Sequence, residues 1–319
     1  MKIYYSKNAS TIKDLIKKLI PQSRFKTTKR YIELKGFKYG YIYNIIPRIE
    51  NIEGVIKIEN ENYEIIPLAY TKNCNFKKPF DTSKKFIIAG PCVIDDFDIF
   101  HQTALKLKSI GVEALRTPLF KPRSSPYGFE GLGLRAIKKL NEYRKEIKIP
   151  FAGEVLDPGL VERVSDTFDI IQIGARNMKN YPLLKEAASS KKIVLLKRQP
   201  KSTIREFLLS LEYLLKYGAK KVILCERGGD SEIPSLNLKI VKEIKKHLNL
   251  PVICDVSHSS KDRKIALEFV KKSIKYSDGI MIEVSAMPDL SPIDTKQIIG
   301  MDEFIKVKKM VEKYNNESD

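Results

Sequence analysis

Residues 192–227, KIVLLKRQPKSTIREFLLSLEYLLKYGAKKVILCER, decide how this chain folds. Two continuous apolar runs, Ile193-Val194-Leu195-Leu196 and Val222-Ile223-Leu224-Cys225, have the pattern of parallel strands buried on both faces. Between them Ser202 is placed to cap a helix in which Ile204, Phe207, Leu208, Leu211 and Leu215 recur at helical spacing, with Gly218 ending it. This is one strand–helix unit.

Working outward, the same unit recurs eight times from residue 86. The expected strands are Phe86–Cys92, Val112–Pro118, Ile149–Val155, Asp169–Ala175, Lys192–Arg198, Lys221–Arg227, Pro251–Val256 and Gly279–Ser285. Eight units with short connections favour a closed (β/α)8 TIM barrel over an open doubly wound sheet. No G-x-G-x-x-G follows the first strand, which argues against a dinucleotide fold.

Residues 1–70 carry a different rhythm. Ile3-Tyr4-Tyr5 reads as a strand. A helix follows, with Thr11 and Asp14 as a capping box and a stripe of Ile12, Leu15, Ile16, Leu19 and Ile20. Next come strands at Arg30–Leu34 and Tyr39–Tyr43, a second helix carrying Ile45, Ile46, Ile49 and Ile52 up to Gly54, and a strand at Val55–Ile58. The order β-α-β-β-α-β is that of a small ferredoxin-like α+β domain. Residues 71–85 read as a linker and 86–319 as the barrel.

Composition narrows the classes of function. No run approaches the ~20 apolar residues of a membrane span, and the N-terminus lacks a signal-peptide pattern, so a soluble, cytoplasmic protein is expected. Four scattered cysteines do not make a disulfide framework. The net charge of +19 admits a nucleic-acid partner, anionic small substrates or a plain excess of surface lysine. The ferredoxin-like order is shared with RNA-recognition modules, but Lys35–Tyr43 fails their aromatic motif in register, so no nucleic-acid partner is expected.

Barrel enzymes work at the C-terminal ends of their strands. Those ends carry Cys92, Arg116 with Lys121 and Arg123, Glu154, Ala175-Arg176, Lys197, Arg227, Asp255 with His258, and Glu283 with Asp294. Cys92, His258, Glu283 and Asp294 offer sulfur, imidazole and carboxylate ligands suited to a divalent ion such as Mn, Fe or Zn. Arg116, Lys121, Arg123, Arg176, Lys197 and Arg227 would line a pocket for phosphate and carboxylate groups. Each has a plainer reading, a strand-end cysteine as a small core residue or a carboxylate as a lysine's partner. Their collection at one barrel end favours function. Cys225 and Cys254, inside apolar strands, are assigned to the core, and His101 and His247 to helix surfaces.

Several segments resemble the DAHP (3-deoxy-D-arabino-heptulosonate 7-phosphate) synthases of the type I beta group. They are Ala89-Gly90-Pro91-Cys92, Leu115-Arg116, Phe120-Lys121-Pro122-Arg123-Ser124-Ser125-Pro126-Tyr127, Ile173-Gly174-Ala175-Arg176, Leu196-Lys197-Arg198, Glu226-Arg227-Gly228 and Ser257-His258-Ser259. The resemblance implies a transferase that condenses phosphoenolpyruvate with erythrose 4-phosphate at the head of the shikimate pathway, leading to chorismate and the aromatic amino acids. It implies Cys92, His258, Glu283 and Asp294 as metal ligands. It places phosphoenolpyruvate on Arg116, Lys121, Lys197, Arg227 and the Ala175-Arg176 step, with Glu154 and Asp255 also at the substrates. Arg123 and Ser124 would receive the aldose phosphate. A homo-oligomer, a tetramer in particular, and an aromatic amino acid effector on the N-terminal domain are further expectations. The related 3-deoxy-D-manno-octulosonate 8-phosphate synthase, which takes arabinose 5-phosphate, is the alternative; Lys121-Pro122-Arg123-Ser124 differs from its Ala-Asn-Arg-Ser. The chain departs from the group at Thr117-Pro118, Val256, Ser285, Thr295 and the segment Gly229–Asn237.

Overall fold

The computed structural model of the chain describes residues 1–6, 8–35, 45–59, 67–70, 80–81, 83–123, 125–229 and 233–318. Residue contacts divide it into two compact units, Met1–Cys74 and Asn75–Asp319.

In the first unit, β1 (Lys2–Tyr5), β2 (Arg24–Thr27), β3 (Tyr31–Lys35) and β4 (Val55–Glu59) form an antiparallel sheet in the order β2-β3-β1-β4. With helices at Ala9–Leu19 and Ile46–Glu50 this is the ferredoxin-like arrangement. Ile3, Ile32 and Leu34 of the sheet pack with Ile12, Ile16 and Ile49 of the helices in one apolar cluster. Burying such side chains contributes roughly 1.5–3 kcal/mol each.

Two local expectations are corrected. The first helix begins at Ala9 behind Asn8, which adopts a left-handed backbone conformation and makes no side-chain cap bond. Thr11 and Asp14 therefore lie inside the helix and form no capping box. The run at Arg30–Leu34 is the third strand, and the second, Arg24–Thr27, went unread because it is largely exposed and turns only one apolar side chain, Phe25, toward the core. Tyr39–Tyr43 lies outside the described residues.

In the second unit, all eight strands are found. They are β5 (Phe86–Gly90), β6 (Ala114–Arg116), β7 (Phe151–Glu154), β8 (Ile170–Ile173), β9 (Ile193–Lys197), β10 (Val222–Glu226), β11 (Val252–Asp255) and β12 (Gly279–Glu283). Each pairs in parallel with the next, and β12 pairs with β5 to close the barrel. Phe86, Ile88, Ala152, Ile170, Leu195, Ile223, Ile253 and Met281 fill the interior, so it is a packed core and not a pore. Cys225 belongs to this core, and Cys254 is equally buried.

The ladders stop one or more residues short of each expected C-terminal end, because chemistry-bearing residues such as Cys92 turn off the strands into loops. The helix after β9 runs Ile204–Lys216 and is capped by Thr203, not Ser202. The Thr203 hydroxyl accepts the Glu206 N–H, while the Glu206 carboxylate accepts the Thr203 N–H. Ser202 instead donates to the Gln199 carbonyl, and Leu214 rather than Leu215 is buried. Among the described residues, no helix is long and apolar enough to cross a membrane.

Candidate active site

The C-terminal mouth of the barrel gathers the residues that the sequence marked. Cys92 follows β5, whose last residue, Gly90, abuts β6 so closely that a Cβ there would lie 2.6 Å from the Arg116 carbonyl oxygen. That approach sets Cys92 beside Arg116 and Lys121. Glu283 ends β12, Asp294 lies in the loop beyond it, and His258 sits on the single turn Val256–Ser260 that follows β11.

Ligand atoms of Cys92, His258, Glu283 and Asp294 all lie within 4.8 Å of one another. Bonds of about 2.0–2.3 Å to one ion would set such atoms roughly 3–4.5 Å apart, so the cluster has the size and donor chemistry of a coordination shell. His258 adds an independent sign. Its Nε2 lies 3.5 Å from Glu283 Oε1, and its Nδ1 lies 2.9 Å from Asp255 Oδ2 but off the hydrogen-bonding direction. Nδ1 is thus a buried nitrogen without an aligned partner, and a ligand on Nε2 would fix the ring and let Nδ1–H settle on Asp255. The four residues fit a divalent metal.

Beside the cluster opens a cavity of about 550 Å³ lined by Lys121, Arg123, Arg176, Lys197 and Arg227, with Glu154 and Ala175 on its wall. Arg116 lies deeper, where it shares a small chamber with Cys92, Lys121 and Glu154. Ser124 lies outside the described residues. Asp255 lines neither cavity: it is fully buried, with Lys197 Nζ 2.6 Å from Oδ2 and the His258 N–H donating to Oδ1. Its carboxylate acts on those two residues.

Charge is concentrated here at a cost that the pairings offset. Arg116 Nη2 lies 3.0 Å from Glu283 Oε1, and Lys121 Nζ lies 2.9 Å from Asp294 Oδ2 and 2.7 Å from Cys92 Sγ. Burial opposes charge on the carboxylates, but His258 and Arg116 hold Glu283 below its usual range, and His258 and Lys197 hold Asp255 well below it. Lys121 outweighs burial at Asp294 and brings it to about 2. Burial pushes the Cys92 thiol well up, reinforced by Glu283. Burial alone would lower Lys121, yet Cys92, Glu283 and Asp294 hold its ammonium above the ordinary value. The mouth can therefore hold anionic groups and keep one protonated amine at the place where they meet the ligand cluster.

Sequence reasoning missed three participants. Gln172 Nε2 donates to Glu154 Oε2 at 2.9 Å, and Gln297 Nε2 donates to Glu283 Oε2 at 2.6 Å. Arg198 is not a cavity cation but pairs with Glu226 in the protein interior. Gln172 did leave a signal, being a polar residue inside the apolar run Ile170–Ile173. Gln297, in a polar loop, left none.

Comparison with known proteins fits this geometry. The model of the DAHP synthetase I family matches residues 80–319. A phospho-2-dehydro-3-deoxyheptonate aldolase of Thermotoga maritima is 39% identical over 223 residues, covering 68% of this chain and 66% of that relative. A 2-dehydro-3-deoxyphosphooctonate aldolase of Fusobacterium nucleatum is 26% identical, covering 73% of this chain and 93% of the relative. Among solved structures, the phospho-2-dehydro-3-deoxyheptonate aldolase (DAHP synthase) of Thermotoga maritima superposes with a TM-score of 0.80 at 27% identity, covering 99% of this chain and 96% of that one. A truncated form of the 3-deoxy-D-arabino-heptulosonate 7-phosphate synthase from the same organism reaches 0.68 at 33% identity, over 74% of this chain and 88% of that one. With the family model spanning the entire barrel and the mouth carrying the cluster and cations described above, the chain belongs to the DAHP synthetase I family.

Proposed function

We propose that the chain is a DAHP synthase, condensing phosphoenolpyruvate with erythrose 4-phosphate and water to give DAHP and phosphate. The observation that carries this reading is the four-residue ligand cluster opening directly onto a cavity lined by arginines and lysines. Arg116, Lys121, Lys197, Arg227 and the Ala175-Arg176 step hold the phosphate and carboxylate of phosphoenolpyruvate, and Arg123 with Ser124 receives the aldose phosphate. A divalent ion held by Cys92, His258, Glu283 and Asp294, of the Mn, Fe or Zn kind, would supply Lewis-acid polarisation of the aldehyde oxygen.

The protein's own groups do the rest. Lys121, held protonated, donates to the aldehyde oxygen as C3 of phosphoenolpyruvate forms a bond to the aldehyde carbon. The new alkoxide takes its proton from that ammonium. Water adds to the electron-poor C2 carbon with loss of one proton; the second leaves the new C2 hydroxyl and restores Lys121 as the bond from C2 to the phosphate's bridging oxygen breaks, which releases phosphate and leaves the ketone. Glu154, kept in place by Gln172, faces this part of the cavity as an acceptor for the water's proton. Fixed positive charge around both phosphates orients the reactants.

The competing substrate is arabinose 5-phosphate, suggested by the 2-dehydro-3-deoxyphosphooctonate aldolases among the relatives. The higher identity to the heptonate enzyme favours erythrose 4-phosphate. Phosphate release with each aldose, in metal-loaded protein, decides: turnover with erythrose 4-phosphate alone is expected, and turnover with arabinose 5-phosphate alone would overturn the assignment. The N-terminal unit, by analogy of fold, is assigned a regulatory or oligomerising role, with an aromatic amino acid as effector. A chain starting at Ser83 should then keep the chemistry and lose any response to tyrosine or phenylalanine; an undiminished response would refute that role. A cytoplasmic homotetramer accords with these assignments.

A further inference from the structure

We infer that Gln297 is a positioning residue for the ligand cluster, clamping the carboxylate of Glu283 in the orientation that an ion requires. The inference rests on reading Cys92, His258, Glu283 and Asp294 as metal ligands.

Glu283 is fully buried, and its two oxygens have different neighbours. Oε1 faces the cluster, 3.5 Å from His258 Nε2, and also takes the Arg116 guanidinium at 3.0 Å. Oε2 accepts from the Gln297 amide at 2.6 Å. With Oε2 held, the carboxylate cannot rotate about its terminal bond, and Oε1 stays directed at the cluster. Gln297 is itself only 7% exposed, so its amide has little freedom to leave for water.

The placement of Gln297 also links two ligands. Its backbone N–H donates to the Asp294 carbonyl at 3.0 Å, closing the turn on which Asp294 sits with a φ of 56°. Two residues on, the Ile299 N–H donates to the Glu283 carbonyl at 3.0 Å, stitching the loop to the end of β12. One residue therefore sets the loop that presents Asp294 and the side-chain orientation of Glu283. The amide is neutral, so it fixes geometry without adding to the charge balance of the cluster. Partners of this kind are worth about 10–100-fold in metal affinity.

Gln297→Met keeps the length and shape of the side chain and removes the donor. The test uses metal-stripped full-length protein, Mn²⁺ or Zn²⁺ alone as the probe, and a competing chelator to read affinity. Calorimetric titration with phosphoenolpyruvate on the metal-free protein is run in parallel. The expected result is a metal dissociation constant raised about 10–100-fold, with phosphoenolpyruvate binding unchanged because Gln297 is not in the wall of the 550 Å³ cationic cavity. Gln297→Glu should be worse than Gln297→Met at neutral pH, since it sets a second carboxylate against Glu283. Failure of the unaltered protein to bind either ion would remove the metal reading itself. Tight binding by the unaltered protein and equal binding by Gln297→Met would overturn the role of Gln297 alone. A parallel loss of metal affinity, phosphoenolpyruvate affinity and melting temperature would reduce Gln297 to a structural residue and also overturn it.

Discussion

Arg198 and Glu226 form a two-point ion pair in the protein interior, with Nη2 2.9 Å from Oε1 and Nε on Oε2. The pair joins two loops of the mouth. Arg198 Nη1 donates to the carbonyls of Gln199 and Ser202 after β9, and Glu226 Oε1 accepts the Gly228 N–H after β10. Gln199 and Arg227, which line the cavity, ride on those loops. Removing one partner alone, as in Arg198→Met or Glu226→Leu, leaves an uncompensated buried charge and should cost about 3–5 kcal/mol in urea unfolding. The double replacement should recover most of that stability while phosphoenolpyruvate still binds more weakly, because the loops are no longer tied. Additive losses in the double variant would show that the two side chains do not act as a unit.

Gly174 makes room for a functional side chain. A Cβ on it would lie 1.9 Å from Glu154 Oε1, the free end of a flexible side chain that can swing away. Gly174→Ala should therefore unfold near the native midpoint yet lose about 10²-fold or more in kcat, as Glu154 leaves its place beside Gln172. Equal losses of stability and activity would point to a backbone effect instead.

These two relationships mark the limit of what could be read from the sequence. The barrel was legible because eight apolar runs separated by amphipathic stretches leave few other ways to bury both faces of each strand. Cys92, His258, Glu283 and Asp294 were legible because their chemistry is unusual at strand ends, and the structure brings all four together. Gln297 and the Arg198–Glu226 pair were not, since a residue that acts through a neighbour has no chemistry of its own to betray it. Arg198 follows Lys197, but alternation along the strand turns one into the cavity and the other away from it. The strand at Arg24–Thr27 was lost for a related reason: Phe25 is the one apolar residue it sets against the core, too short a signal to show a period of two.

Acid should unfold the metal-free protein through the mouth carboxylates. Asp294, Asp255 and Glu283 all have pKa values below their ordinary ones, Asp294 at about 2. Groups shifted this way bind fewer protons folded than unfolded. Their contribution is complete above the ordinary carboxylate range, and it is lost as pH falls through the folded values. Unfolding midpoints measured from pH 6 down to about 2 should drop steadily, and Asp294→Asn should make the fall shallower below pH 4. An identical slope in the variant would mean that Lys121 does not hold Asp294 ionised in the fold.

Metal uptake should release a proton from Cys92. Burial pushes this thiol well above its ordinary value, and Glu283 pushes it further, while Lys121 pulls the other way without prevailing. The metal-free protein therefore carries a neutral thiol at neutral pH, donating to Asp294 Oδ2 at 3.1 Å. A thiolate is the form that binds an ion, so the proton must leave as the ion enters. With Asp294 and Glu283 already ionised, neither adds a proton of its own near neutrality. The apparent affinity for Zn²⁺ should rise with pH, and the thiol's share is about tenfold for each unit below its pKa. Cys92→Ala removes that share, so its affinity should climb less steeply over the same range, and a dye in weak buffer should report one proton fewer on metal addition. The variant should also lose metal-dependent turnover with its fold intact. Equal slopes and equal proton release in the two proteins would place the ion elsewhere than on the Cys92 sulfur.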